Sequence, residues 1–221
     1  MARRERPQSF AEELANSLTH GLGLALSITG LAVLVTLAAL RGSAWHVVSC
    51  AVYGSSMVIL YGASTMYHSI PATVAGGRAK QILRVADHSA IYLLIAGSYT
   101  PFTLVSLRGA WGWTLFGLVW GLALAGIVFK MFFTGRFAVV STLIYLAMGW
   151  LVLIAWKPVF AAVPAGGIAW LGASGLAYTA GVVFFAMERL RFSHAVWHAF
   201  VLAGSVCHYC AVFFYVLPAR S

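Results

Sequence analysis

The segment HAVWH, His194 to His198, sets two imidazoles four residues apart in an apolar run. On a helix, positions i and i+4 share a face, so both rings can reach one metal ion. A third imidazole, His68, stands near the end of another apolar run, with Ser64 one turn before it. Three neutral imidazoles suit Zn2+, and three protein ligands leave the fourth tetrahedral position to water. Asp87, where the next apolar run begins, could hydrogen-bond that water or a ligating imidazole. Zinc lowers the pKa of such a water to near 7 and readies it for attack on an ester or amide carbonyl. The chemistry within reach is therefore zinc-assisted hydrolysis. Asp87 would orient the water or take its proton, and Ser64 would help hold the site or the oxyanion.

Each of these residues also has a plainer use. A histidine pair at a membrane edge supplies interfacial polarity, and a serine in a helix packs against its neighbour. An aspartate at the start of a helix caps it and favours its positive dipole end. Glu13, Asn16 and His20 have spacings of three and four and share one face of an amphipathic lead-in helix. That face either lines the site or is solvated.

The elements that carry these residues are membrane spans. Of the 221 residues, 62% are hydrophobic and 9% charged, and apolar runs of about 20 residues recur, the length that crosses a bilayer core. Seven helices are predicted: Thr19–Leu40, Ala44–Ile70, Val85–Leu107, Trp111–Phe129, Phe137–Trp156, Gly167–Met187 and Ala195–Leu217, separated by charge, Gly or Pro. A tight hairpin at Arg108 and Gly109 divides the third from the fourth. Pro101 should kink the third span, and Gly117 and Gly121 form a GxxxG spacing expected to pack closely against another helix. The fold class is all-α integral membrane, one seven-helix bundle domain over residues 1–221, with residues 1–18 as a basic, amphipathic lead-in.

The net charge of +9 does not point to nucleic acid, because the basic residues sit singly or in small groups between spans. Arg3, Arg4, Arg6, Arg78, Lys80, Arg84, Lys130, Arg136, Arg189 and Arg191 fall on one side; Arg41, Arg108, Lys157 and Arg220 fall on the other. The positive-inside rule then puts the amino terminus in the cytoplasm and the carboxyl terminus outside, the reverse of a G-protein-coupled receptor. No cleavable signal peptide and no phosphate-binding loop is expected. Cys50, Cys207 and Cys210 lie within apolar runs and read as small packing residues.

This topology gathers the polar residues at the cytoplasmic leaflet. His68 ends an inward-running span, while Asp87, His194 and His198 begin outward-running ones, and Glu13, Asn16 and His20 lead into the first. All five acidic residues, Glu5, Glu12, Glu13, Asp87 and Glu188, fall at that face; of the histidines, His46 and His208 do not. Ionisable groups within spans usually line cavities or pair with one another.

Four segments, EELANSLTHGLG (Glu12–Gly23), STMYHSI (Ser64–Ile70), DHSAIYLLIAGSYTPF (Asp87–Phe102) and HAVWH, resemble the bacterial hemolysin III family in order and placement. That family is grouped with the progestin and adipoQ receptors, which include the adiponectin receptors. The resemblance spans nearly the whole chain. It implies seven spans with the amino terminus inside, in agreement with the charge pattern. It also implies that His68, His194 and His198 match the receptors' three zinc-binding histidines and Asp87 the carboxylate near the zinc-bound water. Ser64 matches the serine one turn before the first histidine. Glu13, Asn16 and His20 match the family's amino-terminal motif. Grouping with alkaline ceramidases implies lipid hydrolysis. No counterpart of the long cytoplasmic domain of the animal receptors is expected, so their signalling partners are not implied. Bacteria rarely make ceramide, so that substrate is not carried over.

The expected function is a zinc-dependent hydrolase of lipid amides or esters in a bacterial cytoplasmic (inner) membrane, with membrane lipids as its partners. The alternative is a non-enzymatic sensor or regulator of membrane fluidity with structural zinc. A cytolysin is disfavoured because no secretory signal is expected. An ion or proton channel is disfavoured by polar residues that gather at one face without a ladder across the membrane.

Overall fold

A computed structural model describes residues 8–187 and 189–218; Arg3, Arg4, Glu5, Arg6, Glu188 and Arg220 of the charge pattern lie outside the described residues. The helices are α1 (Phe10–Arg41), α2 (Ala44–Ser69), α3 (Ala72–Pro101), α4 (Ala110–Phe133), α5 (Ala138–Gly149), α6 (Trp156–Ala162), α7 (Ala165–Ala186) and α8 (Ser193–Tyr215). Among the described residues, seven segments are long and apolar enough to cross a membrane. Sequence and structure agree on their number and order.

Four local features differ from the expectation or sharpen it. From Phe10 onward the lead-in and the first span form one continuous helix of 32 residues. It starts at a capping box: the Glu12 amide donates to Ser9 Oγ (3.3 Å), and the Ser9 amide donates to Glu12 Oε2 (2.9 Å). The third span also begins early, at Gly76, so Asp87 lies about three turns inside a helix and is buried. It therefore cannot be that helix's cap. The fifth span is interrupted: α5 ends at Gly149, and a 3-10 turn over Leu151–Ala155 leads into α6. Tyr99 from α3 occupies the break. Its hydroxyl lies 2.9 Å from the Met148 and Gly149 carbonyls and accepts from the Val152 amide at 2.9 Å. Irregular backbone at membrane depth survives where protein satisfies it in this way. Finally, Gly117 and Gly121 face outward, with nothing within 4 Å of a Cβ at either position. The expectation that this GxxxG pair packs within the bundle is thus corrected: α4 turns its buried side, Leu115, Val119 and Ala123, inward instead.

Close packing within the bundle uses other small residues. Gly23 of α1 lies against the Tyr61 ring of α2, and Gly30 lies against Tyr209 of α8. Helices α4, α3, α2, α1, α8 and α7 form an arc in that order, each packed on the next, and the broken fifth span closes it with sparse contacts to α3, α4 and α7. The expected hairpin is present: Gly109 has φ 139°, open to glycine, and α4 starts one residue later.

Pro101 disturbs α3 as expected, and the structure shows what repairs it. Proline has no N–H to donate. The next amide, Phe102, donates to Tyr99 O, and a π turn runs over Phe102–Ser106. The Ser98 carbonyl, which a regular helix would pair with Phe102, instead accepts from His208 Nε2 of α8 at 3.0 Å. This gives the otherwise unassigned His208 a structural use. His208→Leu should therefore lower stability by about 1–3 kcal/mol, the cost of an unsatisfied buried carbonyl; SDS-induced unfolding in mixed micelles measures it. His46 has a local use as well: its Nδ1 accepts from the Ser43 amide (3.1 Å) at the start of α2.

Candidate metal centre

The end of the bundle where α1 begins, α2 ends and α8 begins holds the predicted cluster. One ligand atom each from His68, His194 and His198 lies within 4.8 Å of the other two. The ring centroids are 5.2 Å apart for His68–His194, 5.0 Å for His68–His198 and 4.5 Å for His194–His198. His68 and His198 are buried, and His194 is half-buried. His68 Nε2 is buried without a hydrogen-bond partner. A buried imidazole nitrogen with no partner is costly, and a cation between the three rings would satisfy it. The donor set therefore fits a tetrahedral ion with one position left open.

Local chemistry fixes each ligand helix. The Lys80 ammonium donates to the Ile70 carbonyl (2.9 Å) and to the Tyr67 carbonyl, and sits 4.2 Å over the Tyr67 ring. A cation on the last carbonyls of α2 favours the negative end of its dipole and pins the turn that carries His68. Helix α8 follows Phe192, whose φ of 59° is left-handed. The Phe192 amide donates to Glu12 Oε1 at 2.9 Å, so Glu12 both caps α1 and anchors α8 two residues before His194. Glu12 was not among the candidate site residues; the Ser9-x-x-Glu12 pattern announces its capping use, but its reach to Phe192 is a tertiary contact.

Asp87 of α3 is buried, with His68, Ser64, Arg84 and Lys80 as its electrostatic neighbours. Ser64 is fully buried and faces that carboxylate. Predicted acid, predicted serine and predicted ligand thus meet in one place.

Glu13, Asn16 and His20 face the histidines. Glu13 Oε2 lies 2.6 Å from His68 Nδ1. The Asn16 carbonyl lies 3.4 Å from His198 Nδ1, and Asn16 Nδ2 lies 3.4 Å from His68 Nδ1. His20 stacks on His198, with centroids 3.5 Å apart and planes 12° apart, and meets Tyr61 edge-on. Asn16 and His20 are buried, so the solvated-face reading does not apply to them. Buried hydroxyls also lie deeper in the bundle: Tyr61 donates to Ser205 (2.8 Å), and Tyr178 pairs with the same Ser205 (2.9 Å).

From the histidines a cavity of about 650 Å3 runs through the bundle towards the opposite end. Asp87 and the three histidines line one end; Phe102, Trp150, Trp156, Val163 and Ile168 line much of the rest. That volume is typical of small-molecule and cofactor sites.

Seven apolar helices around this cavity and cluster define a multi-pass membrane protein. The chain belongs to the haemolysin-III-related family, whose model matches residues 8–209. It is 48% identical over 214 residues to Hemolysin-3 of Bacillus cereus, covering 97% of this chain and 96% of that protein. It is 49% identical over 207 residues to the Hemolysin-3 homolog of Bacillus subtilis (strain 168), covering 94% and 95%. A more distant likeness, 28% over 215 residues, links it to the human monocyte to macrophage differentiation factor, covering 96% and 87%.

Proposed function

We propose that the protein is a zinc-dependent hydrolase of lipid amides or esters, set in a bacterial cytoplasmic (inner) membrane with its amino terminus in the cytoplasm. One observation carries the reading. Three histidines, one with a buried unpartnered Nε2, stand beside a buried carboxylate at the head of a long apolar cavity. His68, His194 and His198 would hold Zn2+, which when bound polarises a carbonyl and activates water.

The chain's own residues supply the rest. The aromatic and aliphatic walls bind an acyl chain drawn from the surrounding lipid and lay its carbonyl at the histidine end. They also exclude bulk water, which strengthens every polar contact there. Asp87 accepts a proton at its carboxylate and returns it to the leaving group. The Ser64 hydroxyl, buried beside Asp87, can turn to donate to the developing oxyanion.

Detergent-purified protein should release fatty acid from at least one member of a panel of N-acyl and O-acyl lipids. Chelation should stop the release and added zinc should restore it. A zinc-loaded protein inert towards the whole panel would refute the hydrolase reading.

A further inference from the structure

We infer that α1 selects which nitrogen of two ligand histidines faces the ion, with Glu13 as the positioning residue for His68. The inference rests on the metal reading proposed above. A neutral imidazole has one N–H and one lone pair, and whatever holds the N–H leaves the lone pair on the other nitrogen. At His68 the Nδ1 has two neighbours that make opposite demands. The Glu13 carboxylate, 2.6 Å away, can only accept; the Asn16 amide nitrogen, 3.4 Å away, can only donate. The short, charge-assisted contact prevails over the long neutral one. Nδ1 therefore carries the proton, and the lone pair is left on Nε2, the atom that is buried without a partner.

The same helix treats His198 alike. Its Nδ1 lies 3.4 Å from the Asn16 carbonyl, which can only accept. Donation from Nδ1 again turns Nε2 to the ion, and the stacked His20 ring holds the imidazole plane. Three consecutive positions on one face of α1 thus act on two ligands that come from α2 and α8. A carboxylate behind a ligating imidazole fixes ring and tautomer and raises basicity, and its loss typically costs 10–100-fold in metal affinity.

The test measures zinc dissociation constants by chelator competition on full-length protein in detergent, together with the visible spectrum of the cobalt-substituted form. Glu13→Ala should bind zinc about 10–100-fold more weakly and change the cobalt spectrum. Glu13→Gln keeps an acceptor at nearly the same shape and should fall between it and wild type; it decides the matter if the alanine variant does not fold. Ser17→Ala is the control, since the Ser17 hydroxyl bridges α1 to Ser69 of α2 without touching a histidine, and it should leave the affinity unchanged. Equal affinities for wild type and both Glu13 variants would overturn the inference. So would an equal loss in Ser17→Ala, which would make docking of α1, and not Glu13, the cause. Wild type that binds no metal overturns this inference and the metal reading together. Metal binding without hydrolysis removes the hydrolase alone.

Discussion

Purified wild-type protein is expected to carry about one zinc per chain, and His68→Ala none above background. The expectation follows from the three-way convergence of His68, His194 and His198. With two imidazoles left on one turn of α8, the site keeps a weak bidentate patch and loses the arm from α2. The paired variant His194→Ala/His198→Ala should lose the metal just as completely, because His68 alone cannot hold it. Plasma mass spectrometry of the metal content measures both. The result also separates a ligand set from interfacial polarity: if the histidines serve only as polar groups at the membrane edge, wild type and variants will be equally empty after zinc loading. Stability adds a second readout. Ions that bind only the folded state stabilise it by mass action, so wild type should resist SDS unfolding better with zinc than without, and His68→Ala should show no such difference.

The second large effect falls on turnover. Asp87→Asn should keep its zinc and lose lipid hydrolysis by about 10^2–10^4-fold, the range usual for removal of a general acid–base. Asparagine preserves shape and can still pair with Ser64, but it cannot take a proton. Asp87 stands beside His68 without being one of the clustered ligands, so metal content is expected to be spared. A sensor with a structural clamp predicts the opposite pairing: Asp87→Asn would leave cellular function intact, while His68→Ala would destabilise the bundle. Measuring metal, stability and hydrolysis on the same two variants therefore distinguishes catalysis from clamping.

Much of this architecture was legible before any coordinates. Seven apolar runs set the helix count because each had to match a bilayer. The i, i+4 spacing of His194 and His198 fixed a shared face whatever the neighbours were. Alternation of the spans then brought His68 and Asp87 to the same end. What was not legible depended on contacts between distant segments. The break after Gly149 is held by Tyr99 of α3, and nothing in α5 itself announces it. The spacing of Gly117 and Gly121 declares a smooth face but not what it meets, and here it turns away from the bundle. Adjacent Glu12 and Glu13 point about 100° apart on a helix; only the fold assigns one to Phe192 and the other to His68.

Glu12 and Phe192 are joined across 180 residues of sequence, and this has a consequence for biosynthesis. The chain emerges from the ribosome in order, so α1, with its acceptors, and α2, with His68, enter the membrane long before His194 and His198 exist. Through the insertion of four further spans those early helices hold a half-built pocket. The centre closes only when the last helix arrives and its first turn docks on the first helix. A product truncated before residue 193 would hold six spans and lack two of the three clustered histidines; on the metal reading proposed above, it would have no site to load.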